Sequence, residues 1–100
     1  MENNLLPTLG LARRAGKLLL GVDSISAYRK PTCLLIYASD ASPRVARALS
    51  ERRDPCVTLN LTKQQIGKAV GCREVAVVAV TDAGFARLIG KKLEQLEENE

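Results

Sequence analysis

The sequence GKLLLGVDSISAYRK, residues 16–30, contains a short apolar run, a glycine and then the start of a helix. Residues 17–20 form the apolar run, which Gly21 closes, and they predict a short strand. Asp23 or Ser24 can cap the helix that follows, because both side chains accept hydrogen bonds from free helix amides. A strand, a glycine and a helix start in direct succession indicate an α/β fold.

The same alternation continues on both sides of this stretch. The residues that can begin the other helices are Asn4, Ser42 followed by Pro43, Thr62, and Thr81 or Asp82. The patterns predict helices at residues 4–15, 23–30, 43–53, 62–70 and 83–96, and strands at residues 17–20, 33–38, 56–60 and 75–80. This alternation predicts the α/β class, as a three-layer α/β/α sandwich with a four-stranded, mainly parallel (mixed) sheet. We expect a single domain over residues 1–100.

Several element ends and environments are also predictable. Gly16 and Gly71 follow helical segments and are expected to end them, Gly16 in the left-handed conformation. The run at residues 33–38 lacks strict alternation, which indicates an internal strand covered on both faces. The acidic end, residues 94–100, places carboxylates where the helix dipole disfavours them, so we expect it to fray.

The charge distribution is uneven. The net charge is +4, and the first 53 residues carry nine Lys or Arg against four Asp or Glu, whereas the rest carry six against seven. This surplus predicts a polyanion partner for the first half, although solvated helix faces would give the same asymmetry. Aromatic residues are limited to Tyr28, Tyr37 and Phe85. RNA contacts would therefore come from backbone, Lys and Arg rather than from rows of stacked rings.

The residues of common enzyme sites are mostly missing. The chain contains no His, which excludes Ser–His, Cys–His and His–metal arrangements. Cys33, Cys56 and Cys72 are too widely spaced to predict a zinc site. Asp40 and Asp82 each follow a predicted strand and could form a carboxylate pair, but helix capping explains both, and we favour capping. We expect no catalysis, no cofactor and no metal.

The chain begins with the polar stretch MENN and has no apolar run approaching the roughly 20 residues of a membrane span. We therefore expect neither a signal peptide nor a membrane partner. An odd number of dispersed cysteines agrees with a reducing compartment, so we expect a cytoplasmic protein.

Residues 13–24 form a candidate RNA-binding segment. Arg13, Arg14 and Lys17 surround a tight turn, and Gly21 then leads into a helix whose first amides point outward. Such amides, with a glycine and nearby cations, can receive a phosphate or a base edge. An ordinary capped turn beside a solvated basic patch explains every residue except the cations.

The chain resembles the seven-Ae/thirty-e ribosomal-protein family, and most of all its small bacterial YlxQ-type members. The resemblance is carried, in order, by LGLARRAGKLLLG at residues 9–21, LIYASDASP at 35–43, IGKAVG at 66–71 and VAVTDAGF at 78–85. It implies a three-layer α/β/α sandwich. Many members of that family bind kink-turns, which are sharp RNA bends containing sheared guanine–adenine pairs.

The resemblance also implies which residues bind RNA. Residues 21–24 would form the recognition loop, and residues 71–75 the neighbouring loop that covers an extruded base. The predicted RNA-binding residues are Arg14, Lys17, Gly21, Val22, Asp23, Ser24, Gly71, Cys72, Arg73, Glu74 and Val75. The strongest binders have roughly Gly-x-Asn-Glu-x-x-Lys, where this chain has Asp23, Ser24 and Ala27. An Asp carboxylate accepts but cannot donate at a base edge, and Ala27 supplies no cation, so kink-turn binding should be weaker.

Three functional hypotheses follow. The first is a monomeric, non-catalytic, ribosome-associated accessory protein whose partners are structured RNA, ribosomal or kink-turn-containing, and ribosomal proteins. The second is a protein-interaction module on the same fold that has lost RNA binding. The third is an enzyme using Asp40 and Asp82 with Lys17, and a deep pocket joining the two carboxylates would support it.

Overall fold

A computed structural model describes residues 5–98, and the side chains of residues 5–94. In chain order the elements are α1 (Leu5–Arg14), β1 (Leu18–Leu20), α2 (Gly21–Ala27), β2 (Leu34–Tyr37), α3 (Pro43–Ala48), β3 (Cys56–Thr58), α4 (Lys63–Val70), β4 (Val77–Val80) and α5 (Ala83–Glu98). The expected cap at Asn4 lies outside the described residues. Residues 99–100, at the end of the acidic segment expected to fray, also lie outside the described residues. Up to Glu98 this segment is part of helix α5.

The four strands form one mixed sheet in the order β1-β4-β2-β3. The pair β2 and β3 is parallel, whereas β4 is antiparallel to both of its neighbours, β1 and β2. Three strands therefore run in one direction, yet two of the three pairings are antiparallel, because the single reversed strand lies inside the sheet. The fold class and the mixed sheet are confirmed, as is the internal position of β2.

Helices cover both faces of the sheet. Successive residues of β4 point to opposite faces, so Val78 and Val80 join one core while Val77 and Ala79 join the other. The first core also contains buried residues of α1, α4 and α5, such as Leu9 and Ile89. The second is smaller and includes Ile25 of α2. These two cores make the predicted three-layer sandwich. Within residues 5–98, no helix has the length and apolar character needed to cross a membrane.

The helix ends show where local signals decide the structure. Thr62 caps α4 and Gly71 ends it, both as predicted. The structure adds a complete capping box between Thr62 and Gln65 and a φ of +84° at Gly71. Gly16 also has the predicted positive φ, +74°. The expected cap of α2 at Asp23 or Ser24 is wrong. Gly21 has φ +84° and lets the chain pass directly from β1 into α2, so Leu20 takes the cap position.

Two helices are shorter than predicted. Helix α2 ends at Ala27 rather than at residue 30, and α3 ends at Ala48 rather than at residue 53. Beyond α3 the backbone continues in tight turns, in which Ser50 donates to the carbonyl of Arg47 and Arg52 to that of Leu49. The cause is tertiary, because the Arg52 side chain donates to the carbonyl of Ile25 in α2 and to those of Tyr28 and Lys30 after it.

Candidate nucleic-acid interface

The two loops implied by the family resemblance lie at the same end of the sheet. Leu20, the last residue of β1, pairs with Val78 near the start of β4. Residues 21–24 follow β1 directly, and residues 71–75 lead into β4. Antiparallel pairing of β1 with β4 therefore puts residues 21–24 and the last residues of the 71–75 loop at the same end of the sheet, although about fifty residues separate them along the chain.

The turn at residues 21–24 offers an open surface. A Cβ added to Gly21 would meet no atom within 4 Å, so space for a ligand lies beside the backbone. Asp23 and Ser24 are exposed, whereas Ile25 is fully buried in the second core. Helical spacing thus turns the two polar side chains outward and fixes the turn to the sheet through Ile25. The Leu20 side chain at the cap position cannot accept from the first amides of α2.

The loop at residues 71–75 is fixed against α4. The amide of Cys72 donates to the carbonyl of Gly67 at 2.8 Å, and the amide of Val75 donates to the carbonyl of Lys63 at 3.0 Å. The loop backbone passes so close to α4 that a Cβ on Gly67 would lie 2.6 Å from the Cα of Glu74. Val75 is buried, while Arg73 and Glu74 are exposed. The loop therefore presents two charged side chains from a rigid backbone.

Arg13 connects α1 to this loop. Its guanidinium donates to the carbonyl of Val70 and lies 3.8 Å from the Sγ of Cys72. In the sequence, Arg13 is one of the three cations, with Arg14 and Lys17, around the tight turn that follows α1. In the structure it also satisfies a carbonyl at the end of α4, where helix carbonyls lack partners within the helix.

Arg14 and Lys17 are exposed, but the structure does not place Lys17 at the turn of residues 21–24, called the recognition turn below. The carbonyl of Lys17 accepts from the amide of Thr81 at 3.0 Å and from its hydroxyl at 3.2 Å, at the far end of β4. The four-residue span of extended chain from Lys17 to Gly21 is about 13 Å. Lys17 and the glycine turn thus belong to opposite ends of β1.

The carboxylates of Asp40 and Asp82 serve helix starts at opposite ends of the sheet. Asp82 follows β4 and accepts from the amide of Phe85 at 2.9 Å, which caps α5 as predicted. Asp40 follows the antiparallel strand β2 and accepts from the amide of Lys63 at 2.8 Å, at the start of α4. The structure does not bring them together, so the carboxylate-pair hypothesis fails. Among the described residues, no group of three or more His, Cys, Asp or Glu could hold a metal.

Sequence reasoning missed a polar cluster around Arg52, because it placed that residue inside the predicted third helix. The Nε of Arg52 donates to Asp54 at 2.6 Å, and Thr32 donates to the same carboxylate oxygen at 2.9 Å. Burial by itself would raise the pKa of Asp54, but these hydrogen bonds and the Arg52 charge outweigh it and lower the pKa. An Arg and an Asp two residues apart before a strand were the only signal available.

A cleft of about 500 Å³ lies between α3 and the sheet and includes Leu35, Ala46 and Cys56 in its lining. Tyr37 also lines it, and burial raises the pKa of this phenol, with smaller contributions from Cys56 and Asp54. The predicted RNA-binding segments lie outside this cleft.

Solved structures of other proteins share this fold. No family model and no curated protein sequence matches the chain. The 15.5kD RNA binding protein of Giardia lamblia has the same fold, with 17% identity, a TM-score of 0.67, and coverage of 95% of this chain and 86% of that chain. A Bacillus halodurans protein of unknown function is 30% identical, with a TM-score of 0.74, over 93% of this chain and 99% of that chain. With that identity over almost the whole of both chains, this protein belongs to the same family as the Bacillus halodurans protein.

Proposed function

We propose that this protein binds structured RNA at a kink-turn-like bend, without catalysis or cofactor, as a cytoplasmic, ribosome-associated member of the seven-Ae/thirty-e family. The observation that carries the proposal is that the turn at residues 21–24 and the loop at residues 71–75 adjoin the same end of the sheet. The RNA-binding protein of Giardia lamblia shares this fold, which supports RNA as the partner.

The turn at residues 21–24 is suited to contact base edges, and the loop at residues 71–75 is suited to cover an extruded base. Open space beside Gly21 allows close approach of a nucleotide, and Asp23 and Ser24 are exposed to accept hydrogen bonds at base edges. The loop at residues 71–75 is held by backbone bonds to α4, so it can cover an extruded base with little loss of conformational entropy. Shape rather than aromatic stacking would select the RNA.

A test restores the side chains of the strongest binders. The triple variant Asp23→Asn, Ser24→Glu, Ala27→Lys is expected to bind a standard kink-turn RNA at least about tenfold more tightly, because one recovered base-edge contact contributes about 1–3 kcal/mol. All three positions are exposed, so the fold should tolerate the changes. Fluorescence anisotropy with labelled RNA measures the affinity.

The matched control is Ser26→Lys, which adds a cation to an exposed position of α2 outside the recognition pattern. Its effect should be small and should disappear at high salt, whereas the gain from Asp23→Asn should persist. A folded triple variant that gains nothing on any kink-turn would show that this turn does not face RNA. The exposed carboxylate of Asp23 would then favour the protein-interaction module.

Lys17 tests the electrostatic part of the proposal. Lys17→Glu is expected to weaken binding to kinked and straight RNA by similar factors, because this residue lies at the far end of β1, away from the base-reading turn, where a cation would act on the phosphate backbone. The free energy of unfolding should change by less than about 0.5 kcal/mol, as for most exposed substitutions. Titrations at low salt measure both affinities, and equal affinity of variant and wild type would remove Lys17 from the interface.

A further inference from the structure

We infer that the protein has a second RNA-binding surface, formed by Arg29, Lys30 and Arg53, which holds the phosphate backbone at the end of the sheet opposite the recognition turn. This amino-end surface rests on the proposed function, because it takes RNA as the partner. It adds a separate place where a second stretch of the same RNA is bound.

The position of the amino-end surface follows from the strand directions. Strands β1, β2 and β3 run the same way, so the segments that enter them lie at one end of the sheet. Arg29 and Lys30 precede β2, and Arg53 precedes β3, its parallel neighbour, where the amide of Leu35 donates to the carbonyl of Pro55. Neighbouring strands are about 4.8 Å apart, so these cations come from adjacent segments. Lys17, which precedes β1, lies at the same end.

The Arg52 side chain joins the two segments. Its guanidinium donates to the carbonyls of Ile25 at 3.2 Å, Tyr28 at 2.8 Å and Lys30 at 2.8 Å, in addition to the carboxylate of Asp54. The side chains of Arg52 and Asp54 are only 17% and 7% exposed. Thr32 fixes the same carboxylate from the side of β2. This buried cluster holds the backbone beneath the exposed cations in one arrangement.

The charge that remains is positive. Arg52 and Asp54 neutralise each other, whereas Arg29, Lys30 and Arg53 are exposed beside a single exposed carboxylate, Glu51. Together with Pro31, these six residues line an open cleft of about 460 Å³. Its lining contains no aromatic ring on which a base could stack. Guanidinium and ammonium groups on a fixed backbone are suited to phosphate oxygens, and an open cleft accepts a continuous chain.

The test compares two variants with the same change in charge. Lys30→Gln/Arg53→Gln removes two cations of the amino-end surface, and Arg87→Gln/Lys91→Gln removes two exposed cations of α5, on the other face of the sheet. The probes are a straight RNA duplex and the same duplex interrupted by a kink-turn. The first variant should lower affinity for both RNAs several-fold and reduce the salt dependence by about one phosphate contact per residue removed. Arg87→Gln/Lys91→Gln should change the RNA affinity and its salt dependence much less.

The outcomes separate the two proposals. If wild type prefers the kinked duplex but the two variants behave alike, the amino-end surface is overturned and the proposed function stands. If Lys30→Gln/Arg53→Gln alone weakens binding while wild type shows no preference for the kink, the amino-end surface stands and kink recognition is overturned. If wild type binds neither RNA, both proposals are overturned. Thermal melting confirms that each variant is folded.

Discussion

Substitution of Arg52 by methionine is expected to lower the free energy of unfolding by about 3 kcal/mol. Methionine keeps the apolar stem but removes every hydrogen bond of the guanidinium. The Asp54 carboxylate would then remain almost buried with Thr32 as its partner, and breaking a buried pair from one side costs about 3–5 kcal/mol. Urea denaturation measures the change.

Arg53→Met is the matched control, because Arg53 is the next residue and is exposed. It should leave stability within about 0.5 kcal/mol of wild type while weakening RNA binding through the amino-end surface. Similar stability of the Arg52 and Arg53 variants would show that the buried cluster does not hold the loops together.

The same cluster gives stability a dependence on acid pH. The pKa of Asp54 is lowered in the folded state, so its carboxylate stabilises the fold fully above its ordinary pKa of about 4. This contribution is lost as the pH falls through the lowered folded pKa. In Arg52→Met the hydrogen bond and charge of Arg52 are gone, so the folded pKa of Asp54 should rise and the loss of stability on acidification should become smaller than in wild type. Asp54→Asn should lack this part of the dependence altogether.

Gly67→Ala is expected to have the second large effect, on the loop at residues 71–75. The new Cβ would lie 2.6 Å from the Cα of Glu74, 2.8 Å from its amide nitrogen and 3.0 Å from the carbonyl carbon of Arg73. These are backbone atoms, so the whole loop must move or the helix must shift. Such overpacking costs about 1–3 kcal/mol, which opposes the gain of about 1 kcal/mol that alanine gives over glycine in a helix. Kink-turn affinity should fall sharply, because the moved loop cannot cover the extruded base.

Gly90→Ala in α5 provides the control, because a Cβ there would meet no atom within 4 Å. It should raise the free energy of unfolding by up to about 1 kcal/mol and leave RNA binding unchanged. If Gly67→Ala gave the same increase in urea denaturation and bound RNA normally, close packing of this loop on α4 would be refuted.

Local chemistry made some of the structure predictable from sequence. Helix α4 was predicted correctly at both ends, because a capping residue and a C-terminal glycine act within one turn of the chain. The ends of α2 and α3 were not, because Arg52 decides them through contacts with residues more than twenty positions away. The reversed direction of β4 is likewise set by packing of the whole sheet.

In the candidate site, too, the features with a local signal were predictable and those set by tertiary contacts were not. The turn at Gly21 was found from a glycine between a strand and a helix, and the loop at residues 71–75 from the family resemblance. Their meeting depends on the pairing of β1 with β4, which no local signal specifies. Lys17 is close to Gly21 in sequence but lies at the other end of an extended strand, so proximity along the chain was misleading.

Helix α3 has no fully buried residue and lies over the cleft of about 500 Å³. Opening such a segment exposes little additional apolar surface, so its amide hydrogens should exchange through local opening rather than through global unfolding. The recognition turn and the loop at residues 71–75 are anchored elsewhere in the sandwich. A fluorescent label on an exposed residue of α3, such as Arg44 or Arg47, should therefore leave the turn at residues 21–24 and the loop at residues 71–75 undisturbed.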